Sequence, residues 1–355
     1  MNGILRPASW CLVLLPLWLA GCAAPAPSVM RYEGQAGAAT VWPSPPDPPR
    51  YRYVGQLTGE ENFQHDHQAM NGGRRMLAWL VGLVAGQRAP VVLQRPQAGF
   101  TDEAGRVYVT DVSRAAVYVF DEAAGRLEVW EMAGRNLRFE TPLGISAGEQ
   151  DQILVADGGL GRVIRLDGKG RPVGSFGAGL LQRPVGLARD PVSGRIFVAD
   201  SQAHNIKVFD RQGSLLETWG RRGEGPGEFN APTYLTFAGG HLYVTDTLNS
   251  RVQVFDGTGR FIRSVGRRGL YLGDLPRPKG VALDRDNNLY VVESYYDYLL
   301  VFNEKGEFLL PIGGTGKGIG EFYLPAGVWT DQHNRVYVAD TFNGRVVVFE
   351  YLGEA

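Results

Sequence analysis

The stretch Val336-Tyr337-Val338-Ala339-Asp340-Thr341-Phe342-Asn343-Gly344-Arg345-Val346-Val347-Val348-Phe349 decides the fold, because the chain repeats its plan six times. Two runs of β-branched and aromatic residues flank a short polar turn, which is the pattern of a strand hairpin. Equivalent first runs are Val107 to Asp111, Ile153 to Asp157, Ile196 to Asp200, Leu242 to Asp246 and Leu289 to Glu293. A second run follows each after about five residues, as in Val117 to Asp121 and Val252 to Asp256. A proline stands ahead of every copy, at Pro96, Pro142, Pro184, Pro232, Pro278 and Pro325. Two residues later come Ala98, Gly144, Gly186, Tyr234, Gly280 and Gly327. A weaker run, such as Leu215 to Trp219 or Phe261 to Val265, closes each unit.

Four short strands every 40–50 residues form one propeller blade, so six units predict an all-β, six-bladed β-propeller. Nothing in the repeat has the 3.6 period of a helical solenoid. The sixth unit stops after its third strand. Tyr51-Arg52-Tyr53-Val54-Gly55-Gln56-Leu57 resembles the fourth strand of the other units, so residues 51–57 are expected to close the last blade. An unclosed ring would leave an open edge.

Asp246-Thr247-Leu248-Asn249-Ser250-Arg251 and Asp340-Thr341-Phe342-Asn343-Gly344-Arg345 resemble the NHL repeat, and the resemblance extends over residues 93–350. It implies a monomeric, rigid propeller that binds partners through one face. Three units depart from the pattern, with Ala116, Asn205 and Tyr298 where arginine is expected.

The N-terminal region reads differently. Arg6 precedes an apolar run, Trp10 to Leu19, that is too short for a bilayer span, so residues 1–21 are expected to be a secretory signal peptide. Leu19-Ala20-Gly21-Cys22 resembles the lipobox of bacterial lipoproteins, which implies acylation at Cys22 and anchoring in the cell envelope. Ala23 after that cysteine implies, by the same resemblance, the outer membrane facing the periplasm. Residues 22–50 are rich in Ala and Pro and are expected to be an extended tether. Residues 58–92 are expected to be an insert with a helix over 70–86, where Met76, Leu77, Trp79, Leu80, Leu83 and Val84 share a face. The folded propeller is then expected over 93–351.

Composition narrows the function. With 36 basic and 37 acidic residues the net charge is −1, which argues against bulk nucleic-acid binding. The two cysteines are Cys11 and Cys22, so the mature chain is expected to hold neither a disulfide nor a thiolate metal cluster. No cofactor motif is found. Gly313-Gly314-Thr315-Gly316-Lys317-Gly318 lacks the Walker spacing and leads into a strand. His65-Asp66-His67 is a weak metal pattern, and His204, His241 and His333 fall on opposite rims, so no metal or catalytic residues are assigned.

The aspartates at the repeat turns recur in most units, which is the mark of structure, since a catalytic set breaks symmetry. Asp157 with Arg162, Asp246 with Arg251 and Asp340 with Arg345 are expected to form ion pairs across their turns. Departures from symmetry mark the upper rim, formed by the loops entering each blade and the turns between second and third strands. Arg221, Arg222, Arg267, Arg268, Tyr234, Tyr295, Tyr296 and Tyr298 are the candidate binding face, with Tyr271, Phe322, Tyr323 and Phe342 in the same loops. The partner expected there is an envelope protein or an anionic envelope polymer. An enzyme of hydrolase or lyase type, acting at the central channel, is the alternative.

Overall fold

The computed structural model describes residues 28–34, 40–65 and 89–353. Five four-stranded antiparallel sheets follow one another in sequence order. In blade four, for example, the strands are Pro232–Ala238, His241–Asp246, Arg251–Asp256 and Phe261–Val265. The second strands are buried throughout, and the apolar runs Val107–Asp111, Ile153–Asp157 and Ile196–Asp200 show why. Both faces of each sheet pack on neighbouring blades, so these strands read as continuous apolar runs and not as alternating ones.

The first strands of the six sheets touch in order and return to blade one, which makes a six-bladed β-propeller. Glycine two residues after the leading proline allows this close approach. A Cβ on Gly144, Gly186 or Gly327 would lie 2.4, 2.2 or 2.4 Å from the carbonyl oxygen of Val185, Thr233 or Gln97 in the next blade.

Blade six is assembled from both ends of the domain. Its strands are Val328–Thr330, Arg335–Asp340, Arg345–Tyr351 and Tyr51–Leu57. Val346 pairs with Leu57 and Tyr351 with Tyr51, with one register shift at Val348/Phe349. Tyr51 and Leu57 are fully buried.

The expected tether departs from its description. Val41–Trp42 pairs with Tyr51–Arg52 as a fifth strand, and Trp42 lies edge-on against Phe349 at 5.3 Å. Ser28–Met30 pairs with Phe63–His65. Prolines discourage regular structure here, yet the open edge of strand Tyr51–Leu57 offers unpaired backbone groups and an aromatic surface, and these hold residues 40–50 in place. Arg50 N–H donates to the Trp42 carbonyl and Tyr53 N–H to the Thr40 carbonyl, at 2.8 and 2.9 Å. Cys22, the expected signal segment and the helix expected over 70–86 lie outside the described residues. Among the described residues no helix is long and apolar enough to cross a membrane.

Candidate functional site

The repeated acidic residue that ends each second strand ties the entering loop to the upper turn. The Asp157 carboxylate accepts from the N–H groups of Glu140, Thr141, Gly159 and Leu160. Asp111 does the same with Gln94, Arg95, Ser113 and Arg114. These are latches and carry no chemistry of their own.

In blades four and six an arginine completes the latch. Arg251 Nε is 2.9 Å from Asp246 Oδ2, and its guanidinium also donates to the carbonyls of Gly225 and Glu228. Arg345 Nε is 2.8 Å from Asp340 Oδ2, and the group reaches the carbonyls of Lys317, Gly318 and Glu321 and the side chain of Gln56. The expected partnership of Asp157 with Arg162 does not form. Arg162 Nε donates to the Leu160 carbonyl at 3.3 Å. The loop entering blade two folds as a small hairpin, Met132–Gly134 with Leu137–Arg138. It lacks the glycine-rich turn whose carbonyls cradle Arg251 and Arg345.

Blade five breaks this plan at three points that meet in space. Glu293 replaces the aspartate, Tyr298 replaces the arginine, and Leu270-Tyr271-Leu272 stands where the neighbouring loops read Glu224-Gly225-Pro226 and Lys317-Gly318-Ile319. Without an arginine between loop and turn a cleft of about 360 Å³ remains, lined by Leu270 to Asp274, Glu293, Tyr296, Tyr298 and Leu300. Glu293 lies at its base, accepts from the N–H groups of Arg277, Tyr295 and Tyr296, and is pushed above the usual carboxylate range by burial.

The cleft opens beside an apolar crest. Leu270, Tyr271 and Leu272 are 78, 81 and 54 % exposed, and Tyr295, 59 % exposed, packs edge-on against Tyr296 at 4.8 Å. Leu248, Ile319, Tyr323 and Phe342 are also exposed on the upper loops and turns of blades four to six, with Tyr323 edge-on against Phe342 at 5.7 Å. Phe322, read as part of this rim, is instead fully buried in the core of blade six. Sequence reasoning picked out the tyrosines and missed Leu270, Leu272, Leu248 and Ile319. Aligning the entering loops of blades four, five and six would have exposed the Leu-Tyr-Leu exchange.

The basic residues of the rim are less available than their exposure implies. Arg221 and Arg267 reach Glu228 and Asp274 at 2.9 and 3.0 Å. The Gly225 N–H and Arg221 hold Glu228 below its ordinary range, and Arg267 with the Tyr271 N–H does the same for Asp274. Arg268 donates to the Leu248 carbonyl at 2.8 Å, and Arg222 is exposed.

Tyr234 occupies the channel, where its place two residues after Pro232 in the innermost strand of blade four puts it. Its hydroxyl donates to the Gln97 carbonyl of blade one at 3.2 Å, so the side chain of blade four bars the axis. Burial pushes its phenol above the ordinary tyrosine range. Below it, the channel opens into a cavity of about 210 Å³ lined by Phe100, Arg189, Phe237 and Trp329 among others. Among the described residues no three His, Cys, Asp or Glu side chains are grouped to hold a metal ion.

A family model described as 6-bladed beta-propeller matches residues 190–235 and 277–354. No curated protein matches the sequence. Among solved structures, an auxiliary nutrient binding protein from Bacteroides thetaiotaomicron superposes with a TM-score of 0.59 at 12 % identity, covering 74 % of this chain and 70 % of that one. A luciferin-regenerating enzyme gives 0.56 at 13 %, covering 74 % and 92 %. Virginiamycin B lyase from Staphylococcus aureus gives 0.52 at 13 %, covering 73 % and 96 %. These likenesses establish the fold. They span binding proteins and enzymes, so function has to be argued from the site.

Proposed function

We propose that this protein is a lipid-anchored envelope propeller of NHL type that docks a partner protein on the upper rim of blades four to six. One observation carries the reading: three departures from the repeat converge on one cleft, beside a crest of exposed Leu and Tyr side chains. Exposed apolar patches of this kind mark interaction sites, and tyrosine beside a pocket is a common anchor. A protein is favoured over an anionic polymer because Arg221 and Arg267 are already paired within their own loops. The cleft would take an apolar side chain of the partner, with Tyr296 and Tyr298 as its walls.

Restoring the repeat pattern tests the proposal. Glu293→Asp with Tyr298→Arg rebuilds the arrangement seen around Asp246 and Asp340, so the variant should fold and fill the cleft. Cross-linking and co-purification from membranes should yield a stoichiometric partner with the wild type. Yield of that partner should fall at least about tenfold in this double variant and in Leu270→Ser/Tyr271→Ser, the equivalent of 1.4 kcal/mol of binding. A partner retained equally by both variants, or a wild type that brings down none, overturns the docking site.

A further inference from the structure

We propose that Lys279 and Arg277 form an oxyanion site at the upper mouth of the central channel, taking the phosphate or carboxylate group of a small ligand. The site is separate from the rim cleft and stands or falls without it.

Lys279 is the residue after Pro278 in the innermost strand of blade five, so it lies in the channel wall near the upper end. In the other blades this position carries Gln97, Leu143, Val185, Thr233 and Ala326, and blade five alone brings a charge. Its ammonium makes no hydrogen bond or ion pair with any described residue. The contrast with other partly buried cations is plain. Lys207 has Asp200, Arg106 has Asp102, and Arg189 has Glu149, each within 4 Å.

Arg277, two residues earlier in the chain, brings a second cation near Lys279. Burial, and then the Arg277 guanidinium, push the lysine below its ordinary range. Arg277 donates its backbone N–H to Glu293 and its carbonyl accepts from Ser294, but its exposed guanidinium has no carboxylate partner among the described residues. Two neighbouring cations with no counter-ion among the described residues are unfavourable without a ligand, and an oxyanion between them removes that cost. The residue before the first proline is also arginine in blades one and three, Arg95 and Arg183, so alternate blades bring positive charge to the same mouth. Arg95 lies over the Phe342 ring, 5.0 Å from its centroid. Acidic residues also stand at this end of the blades: Glu140 in blade two, and the latch carboxylates such as Asp111, Asp157 and Glu293, whose oxygens are taken up by backbone N–H groups.

Tyr234 sets the size of the ligand. Its bond to the carbonyl of Gln97, the blade-one equivalent of Lys279, bars the channel at the level of that lysine. A ligand therefore enters from above and reaches the site with a compact charged group.

Calorimetric titration of the full-length protein with inorganic phosphate and with citrate, at low ionic strength, tests the site. At least one anion should bind, phosphate alone or citrate alone telling which oxyanion is preferred. Lys279→Gln should weaken binding roughly tenfold or more and Arg277→Gln severalfold. Lys169→Gln, on a lower-rim turn, should leave it unchanged, and Lys279→Arg should retain it. Because Lys279→Gln removes an uncompensated charge, its melting temperature without the anion should equal or exceed the wild type's. A second measurement does not depend on that variant. The chain has five lysines, Lys169, Lys207, Lys279, Lys305 and Lys317, so acetylation at neutral pH can be mapped to each. Lys279 should be modified at a rate that the bound anion slows. A wild type that binds neither anion, a Lys279→Gln variant that binds as tightly, or no protection of Lys279 overturns the proposal.

Discussion

A single side chain can have the same spacing in two repeats and a different role in each. Arg162 and Arg251 both stand five residues after a latch aspartate. Only Arg251 is held, because the glycine-rich loop before blade four turns carbonyls toward it, whereas Arg162 touches one local carbonyl. Asp246 is fully buried and Arg251 nearly so, and removing one partner of a buried pair leaves an uncompensated charge. Arg251→Ala should therefore cost about 3 kcal/mol, the lower end for a broken buried pair, because Asn249 and Gln253 still donate to Asp246. Arg162→Ala should cost under about 1 kcal/mol, as for a substitution near the surface. Denaturant unfolding of the two variants measures the difference, and equal losses would refute the cradle. Which arginine is paired was not legible in the spacing, since the deciding carbonyls lie more than twenty residues away.

At the level of elements, closure depends on strand Tyr51–Leu57. It contributes the fully buried Tyr51 and Leu57, and its loss would open the edge of Arg345–Tyr351. Two buried side chains at about 2–3 kcal/mol each, in a domain of this size, correspond to a fall in melting temperature on the order of 10 °C. Deleting residues 51–57 should produce that fall, together with concentration-dependent association through the exposed edge, read by light scattering. An unchanged melting temperature would mean that the ring is closed without this strand. The edge itself is covered further by Val41–Trp42, which no strand pattern in the sequence announced. Trp42 lies among prolines, and only the facing Phe349 makes its position favourable.

For the whole molecule, the proposed function joins anchoring to docking: an acylated Cys22 would hold the domain at the membrane while its upper rim would take a partner. Cys22→Ser should remove the acyl chains and move the protein from the membrane to the soluble fraction, because the lipid carries the anchoring free energy. Fractionation at high salt measures this. A Cys22→Ser protein that still sediments with membranes would contradict the lipid anchor, and the docking surface would then have to be tested as a membrane contact.

By itself, the sequence determined the repeat, the number of blades, the strand order within each and the source of the closing strand. These follow from period, turn residues and apolar runs, all of which act over a few residues and recur six times. The tertiary structure alone decided which repeated charges pair, which aromatic residues stay in water and where a cleft opens. Phe322 and Tyr323 are adjacent in the chain, yet the first is core and the second exposed. Tyr298 looks like a lost arginine until Leu270, Tyr271 and Glu293 are placed beside it. Exposure and pairing belong to the meeting of loops and turns some sixteen to thirty residues apart, and the physical reason is that a latch or a cleft needs partners that only the folded blade brings within a few ångströms.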